Sequence, residues 1–149
     1  MKRTNGFALI EMLISVTIIA ILAHVSIPYF TNAYHSFKAD RAFSEFSSSL
    51  RNARVASITS NEAVEINFYS SGDNHIVDIV QTNKSIKQLK LNKSDFDLEG
   101  QKFVYTQEGY AMPSSGNDSV INLCHKHLNE QHTYSINPIG KMNIEVSDC

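Results

Sequence analysis

Two hydrophobic periods divide the chain. From residue 7 to residue 27 nearly every position is apolar or small, the exceptions being Glu11, Ser15, Thr17, His24 and Ser26. Those 21 residues (7 to 27 inclusive), at about 1.5 Å of rise each, make a helix just long enough to cross a hydrocarbon core of about 30 Å. Pro28 follows. Its missing N–H removes one helical hydrogen bond, which predicts a kink and not an end, because helical patterning resumes beyond it. Phe43, Phe46, Leu50 and Ala53 recur at i, i+3, i+7 and i+10, with Arg41, Glu45, Arg51 and Arg54 off that stripe. One long helix over residues 7–58 is therefore expected, apolar all round at first and amphipathic afterwards.

Beyond residues 59–61 the period falls to two. Val64, Ile66 and Phe68 alternate with Glu65, Asn67 and Tyr69, which predicts a half-buried strand over residues 63–69. Residues 71–74 read as a turn and residues 75–81 as the returning strand. Shorter strands are expected around residues 87–91, 102–106, 120–123, 134–136 and 142–146. Asn137-Pro138-Ile139-Gly140 is a tight turn between the last two, and residues 112–119 are a loop. The fold class is α+β: a long N-terminal helix, transmembrane in its first half and amphipathic in its second, packed on a small antiparallel β-sheet domain. The expected divisions are a leader at 1–6, the membrane half at 7–28, the amphipathic half at 29–58 and a β-rich globular domain at 59–149.

Composition adds limits. A net charge of -2 gives no global electrostatic case for nucleic-acid binding. Lys84, Lys87, Lys90 and Lys93 form a local basic run. A three-residue spacing alternates faces on a strand, so the run serves either to protect a sheet edge or to meet a polyanion. Cys124 and Cys149 are compatible with one disulfide or with two thiols, and they fit no four-ligand zinc pattern. No nucleophile motif, glycine-rich phosphate loop or catalytic carboxylate pair stands in a recognisable frame, so no enzymatic activity and no cofactor are expected.

The N-terminus says more. Lys2 and Arg3 precede the apolar run as in the leader of an exported protein, yet no small-residue cleavage site follows the run. Gly6 stands before it instead. Inside the run, the Glu11 carboxylate costs about 2.5–3.5 kcal/mol on insertion scales, so it calls for a partner.

Gly6-Phe7-Ala8-Leu9-Ile10-Glu11-Met12-Leu13 resembles the processing and methylation motif of type IV prepilins and type II secretion pseudopilins. In that family a short basic leader is cut after a glycine and a phenylalanine becomes the N-methylated first residue. Glutamate is the fifth mature residue, and a proline follows the apolar run. Counted from Phe7, Glu11 is the fifth residue and Pro28 the twenty-second. A narrower stretch, residues 46–58 with 61–66, is similar to the helix-end-to-first-strand segment of the GspH/FimT group of minor pilins and minor pseudopilins. Members of that group also end in a hairpin like residues 134–141, with a cysteine near the terminus.

The resemblance implies cleavage between Gly6 and Phe7 by a prepilin peptidase, N-methylation of Phe7, and a helix kink at Pro28. The freed amine of Phe7 would pair with the Glu11 of a neighbouring subunit, since a buried charge is tolerated when paired. The implied location is the bacterial inner membrane in a single pass, then a periplasmic or cell-surface filament built with other pilins and minor pilins. That location favours a Cys124–Cys149 disulfide, which also removes Cys124 as a metal ligand. His125, His127 and His132 are then expected to be solvated loop residues, with no metal site. The implied function is that of a minor type IV pilin in pilus assembly or a tip complex, structural and not enzymatic. Its alternatives are a DNA-capturing minor pilin for natural transformation and a minor pseudopilin of a type II secretion system. Some FimT-like proteins hold DNA with a glycine-arginine-x-arginine motif. Here Gly140-Lys141-Met142-Asn143 lacks the second arginine. Without Lys2 and Arg3 the basic residues fall from 13 to 11 against 15 acidic, a net of -4. Lys141 with Lys84, Lys87, Lys90 and Lys93 would therefore give weak DNA contact at most.

Overall fold

The computed structural model describes residues 5–114 and 119–149, with side chains from Leu9 onward. Leader residues 1–4 and residues 115–118 of the expected loop lie outside the described residues. One helix, α1 (Asn5–Ser60), runs unbroken through Pro28. It stops where Asn61 turns to φ 56° and the Glu62 N–H donates to the Ser57 carbonyl at 3.2 Å. That bond and that left-handed residue are the two marks of a Schellman cap, and asparagine tolerates the conformation well. The chain divides into two compact units, Met1–Lys38 and Ala39–Cys149. The described part of the first is helix only.

The described residues of the second unit form nine strands: β1 (Val64–Ser71), β2 (Asn74–Gln81), β3 (Lys84–Asn92), β4 (Phe96–Gly100), β5 (Phe103–Tyr105), β6 (Ala111–Pro113), β7 (Ser119–His125), β8 (Glu130–Ile136) and β9 (Met142–Asp148). They form two antiparallel sheets where the sequence pattern suggested one. The first has the order β3-β2-β1-β5-β6 and the second β4-β7-β8-β9. Local pattern names strands but does not say which distant strand each will join. The expected loop over residues 112–119 shrinks accordingly, since β6 takes Ala111–Pro113 and β7 begins at Ser119. Pro113 is acceptable in β6 because that strand lies at a sheet edge. The β1–β2 turn uses Gly72 at φ 54°. The β2–β3 turn has both central residues, Thr82 and Asn83, at positive φ (49° and 62°), the geometry of a type I′ hairpin.

Both sheets close on the amphipathic half of α1. Ala39, Phe43, Phe46, Leu50 and Ala53 are all at most 4% exposed. They join Val64, Ile66, Val77 and Phe103 of the first sheet and Ile121, Leu123, Tyr134 and Ile136 of the second in one core. Each such large side chain contributes about 1.5–3 kcal/mol by leaving water. Three buried hydroxyls at this surface are satisfied by main-chain carbonyls. Ser49 and Ser57 donate to the carbonyls of Glu45 (2.6 Å) and Arg54 (2.8 Å). The buried Tyr134 phenol donates to the Phe43 carbonyl at 3.2 Å, and burial pushes its pKa up. Two histidines expected in solvated loops are instead strand residues. His125 is buried on β7, edge-on to Phe96 at 4.9 Å, and His132 on β8 stacks on Phe43 at 3.7 Å. An aromatic face is a better neighbour here than water for a ring that lies over the core.

Cys124 on β7 and Cys149, just past β9, form a disulfide with Cα atoms 5.9 Å apart. It bridges over β8, and the Cys149 N–H also donates to the Asn129 carbonyl at 3.3 Å. A closed loop of sequence separation 25 corresponds to roughly 3 kcal/mol in the chain-entropy account. Replacing both cysteines with serine should therefore lower stability by about 2–4 kcal/mol, read by urea unfolding of the full-length protein in detergent micelles. An unchanged midpoint would show that the β7–β9 staple contributes nothing.

Candidate functional site

In the first unit, every described side chain from Leu9 to Ile27 is exposed, including Leu9, Ile10, Met12, Leu13 and Ile14. The helix is long and apolar enough to cross a membrane by length and composition. Its hydroxyls do not oppose that. Ser15 donates to the Glu11 carbonyl (2.8 Å), Thr17 to Ile14 (2.7 Å) and Ser26 to Leu22 (2.7 Å). Each is thereby satisfied inside its own helix, which is what a lipid-facing polar group requires. Glu11 is different. Among the described residues its carboxylate has no partner. Backbone geometry places Gly6 and Phe7 within α1, five and four residues before it respectively.

In the second unit the feature missed from sequence is Arg54. The sequence pattern places it off the apolar stripe, and it is half-buried. Its Nε donates to the Gly109 carbonyl at 3.0 Å and its Nη2 to the Ile139 carbonyl at 2.8 Å. The two turns it holds are also joined by the Ala111 N–H donating to the Pro138 carbonyl at 2.9 Å. Gly109 (φ 79°) and Gly140 (φ 76°) make this approach possible, because a Cβ on Gly140 would run into the Gly109 carbonyl and Arg54. Nearby Tyr105 is buried, which pushes its pKa up to about 12 although Arg54 opposes the shift. Beside this clamp Glu108, Tyr110, Met112, Pro138 and Ile139 line an open groove of ≈ 700 Å³.

The basic residues do not converge. Lys141 is an exposed turn residue between β8 and β9 of the second sheet, with its N–H bonded to Asn137 Oδ1 at 2.8 Å. The lysine run lies along β3 and the residue after it, at one edge of the first sheet. Lys87 pairs with Glu45 at 3.5 Å, and Lys93 Nζ donates to the Gly72 carbonyl at 2.8 Å. Lys90 sits opposite Ile76 while Lys84 sits opposite Gln81, so these two point to different faces. Elsewhere, His75 stands 3.6 Å from Asp97, but burial pushes its pKa down. Among the described residues no group of histidine, cysteine, aspartate or glutamate is arranged to hold a metal ion.

Residues 1–27 match the family model described as the prokaryotic N-terminal methylation motif. No curated protein and no solved structure matches the chain. The motif, the long N-terminal helix and the antiparallel sheets are consistent with a type IV pilin-like protein, a family that is generally structural. The same motif and apolar helix fit membrane anchoring before assembly.

Arg54→Met keeps the aliphatic stem and removes both donors, leaving the Gly109 and Ile139 carbonyls unbonded. It should lower stability by about 1–3 kcal/mol in chemical denaturation of the full-length protein, with helix content unchanged. Gly140→Ala should cost as much or more through strain at positive φ. A wild-type midpoint for both variants would show that the two turns hold without the clamp.

Proposed function

We propose that the chain is a minor type IV pilin, made as a precursor, inserted in the inner membrane and then built into a filament. The observation that carries this reading is the methylation motif over residues 1–27, continuous with an exposed apolar helix in which Glu11 is the one acidic residue. In this reading a prepilin peptidase cuts between Gly6 and Phe7, and Phe7 is N-methylated. The new amine then lies one helical turn from its own Glu11 and within reach of that of a neighbour. Charge neutralisation in hydrocarbon makes only one axial register between adjacent helices favourable, so Glu11 acts as a positioning group for assembly. Pro28, lacking an N–H, supplies a point of bending between the membrane half and the rest of the helix. The β-rich unit is what such a subunit presents outside the membrane. The separation of Lys141 from the β3 lysines and the net charge of -2 favour a structural role over DNA capture.

Mass spectrometry of the protein from its host should find N-methylated Phe7 as the first residue. An intact Met1 would overturn the reading. Glu11→Ala should insert into the membrane normally, since the span becomes more apolar by about 2.5–3.5 kcal/mol, yet enter sheared filaments poorly. Glu11→Gln separates charge from shape. Assembly of Glu11→Gln at the wild-type level would refute the charge pairing.

A further inference from the structure

The second unit leaves two long sheet edges open. β3 bounds the first sheet and β9 bounds the second. An open edge normally invites pairing, and edges are usually blunted by charge. Here the two edges carry opposite charges. β3 and the residue after it bear Lys84, Lys87, Lys90 and Lys93 and no acid, whereas β9 bears Glu145 and Asp148 and no base. Lys90, Glu145 and Asp148 have no side-chain partner among the described residues. β9 is exposed along nearly its whole length, with Val146 62% and Ile144 38% exposed.

Peptide groups on each edge can be phased from the hairpins. In a two-residue hairpin the residues flanking the turn exchange both hydrogen bonds, and the pattern then alternates. From Ser71 opposite Asn74, residues Ile76 and Asp78 of β2 bond to β1, so His75, Val77 and Ile79 bond to β3. Their partners Leu91, Leu89 and Lys87 are used inward, which leaves Gln88, Lys90 and Asn92 facing out. On the other edge the Asn137 N–H donates to the Lys141 carbonyl at 3.1 Å, which sets Asn143, Glu145 and Ser147 inward. Ile144 and Val146 then offer their peptide groups outward.

In a parallel pair, an outward residue sits opposite an inward one and bonds to its two neighbours. Placing Lys90 opposite Glu145 lets it bond to Ile144 and Val146. The same register sets Leu89 beside Ile144, Leu91 beside Val146, Asn92 beside Ser147 and Lys93 beside Asp148. Apolar meets apolar, polar meets polar, and both acids meet lysines. An antiparallel pair must instead set outward residues opposite each other, and the one register that joins both acids to lysines, Lys90 opposite Asp148 with Lys93 opposite Glu145, sets Leu91 on Ser147 and Asn92 on Val146, so the parallel register alone matches apolar with apolar as well. Two β3 edges would set one lysine run along another with no acid between them, so the charges disfavour that pairing while favouring β3 with β9.

We infer that β9 of one copy docks in parallel on β3 of a second copy, with Glu145 opposite Lys90. The contact joins two different patches. It therefore repeats head to tail and does not close as a two-fold dimer, the kind of interface that extends a filament. It makes no use of the membrane segment.

The test uses full-length chains in membranes under mild oxidation. Lys90→Cys and Glu145→Cys on separate, co-expressed copies should give a covalent dimer, with the Cys124–Cys149 bond checked by mass spectrometry. Lys90→Cys with Ser147→Cys should not, because two residues of slip along a strand carry the Cα atoms beyond the roughly 7 Å limit for a disulfide. A dimer through Val146→Cys in place of Glu145→Cys would overturn the parallel register, and no dimer from any pair would overturn the docking. Without added cysteines, Lys90→Glu should weaken self-association in detergent by about tenfold, and adding Glu145→Lys to it should restore most of the loss. Failure of the reversed pair to recover would also refute the contact. A wild-type cross-link in a Glu11→Ala background would leave this contact standing even if the filament reading failed.

Discussion

Both sheets depend on one narrow surface, the helical stripe of Ala39, Phe43, Phe46, Leu50 and Ala53. A sheet needs an apolar partner for its inner face, and both sheets here share one core with the helix. The stripe is about 21 Å long at 1.5 Å per residue, close to the length of the longer strands that lie on it. The Tyr134 phenol on the Phe43 carbonyl fixes the second sheet to the helix in one rotational setting, since a buried hydroxyl without that acceptor would be costly. A cavity in the stripe would thus loosen two sheets at once. The helix is in this sense a shared wall.

Much of this arrangement is legible in the sequence because it is local. The 3.6-residue period places Phe43, Phe46, Leu50 and Ala53 inside, and Gly72 within a polar run marks the first hairpin. Phe96–Gly100 shows the proper alternation of Phe and Leu with Asp and Glu, yet at five residues it is too short to separate from a loop. Thr82-Asn83 forms a type I′ turn without the usual glycine, and so it hides the first residues of β3. The split into two sheets cannot be read at all, because β4 finds its partner in β7, beyond two further strands. Arg54 is hidden for a similar reason. Its acceptors are main-chain carbonyls 55 and 85 residues away, and a carbonyl has no identity in a sequence. The N-terminal frame of Gly6, Phe7 and Glu11 lies at the opposite extreme, since its spacing is contained within one helical turn and a half.

The apolar half of α1 meets, by unequal means, what lipid would require of its polar residues. Ser15, Thr17 and Ser26 bind the carbonyls of their own helix and require nothing from outside. A carboxylate cannot do this, because those carbonyls are acceptors as it is. Glu11 can be satisfied only by a donor or a cation brought by other groups, so the same span that needs no partner for its hydroxyls needs one for its acid.

The disulfide that passes over β8 has a mechanical meaning. An edge strand pulled away from its sheet opens one hydrogen bond at a time, like a zip, and resists weakly. Tying the end of β9 to Cys124 on the second strand inward means that a pull at that end loads β7, β8 and β9 together. The bonds between them are then sheared in parallel instead of being peeled in series. The exposed outer strand is thereby protected at the place where tearing would start.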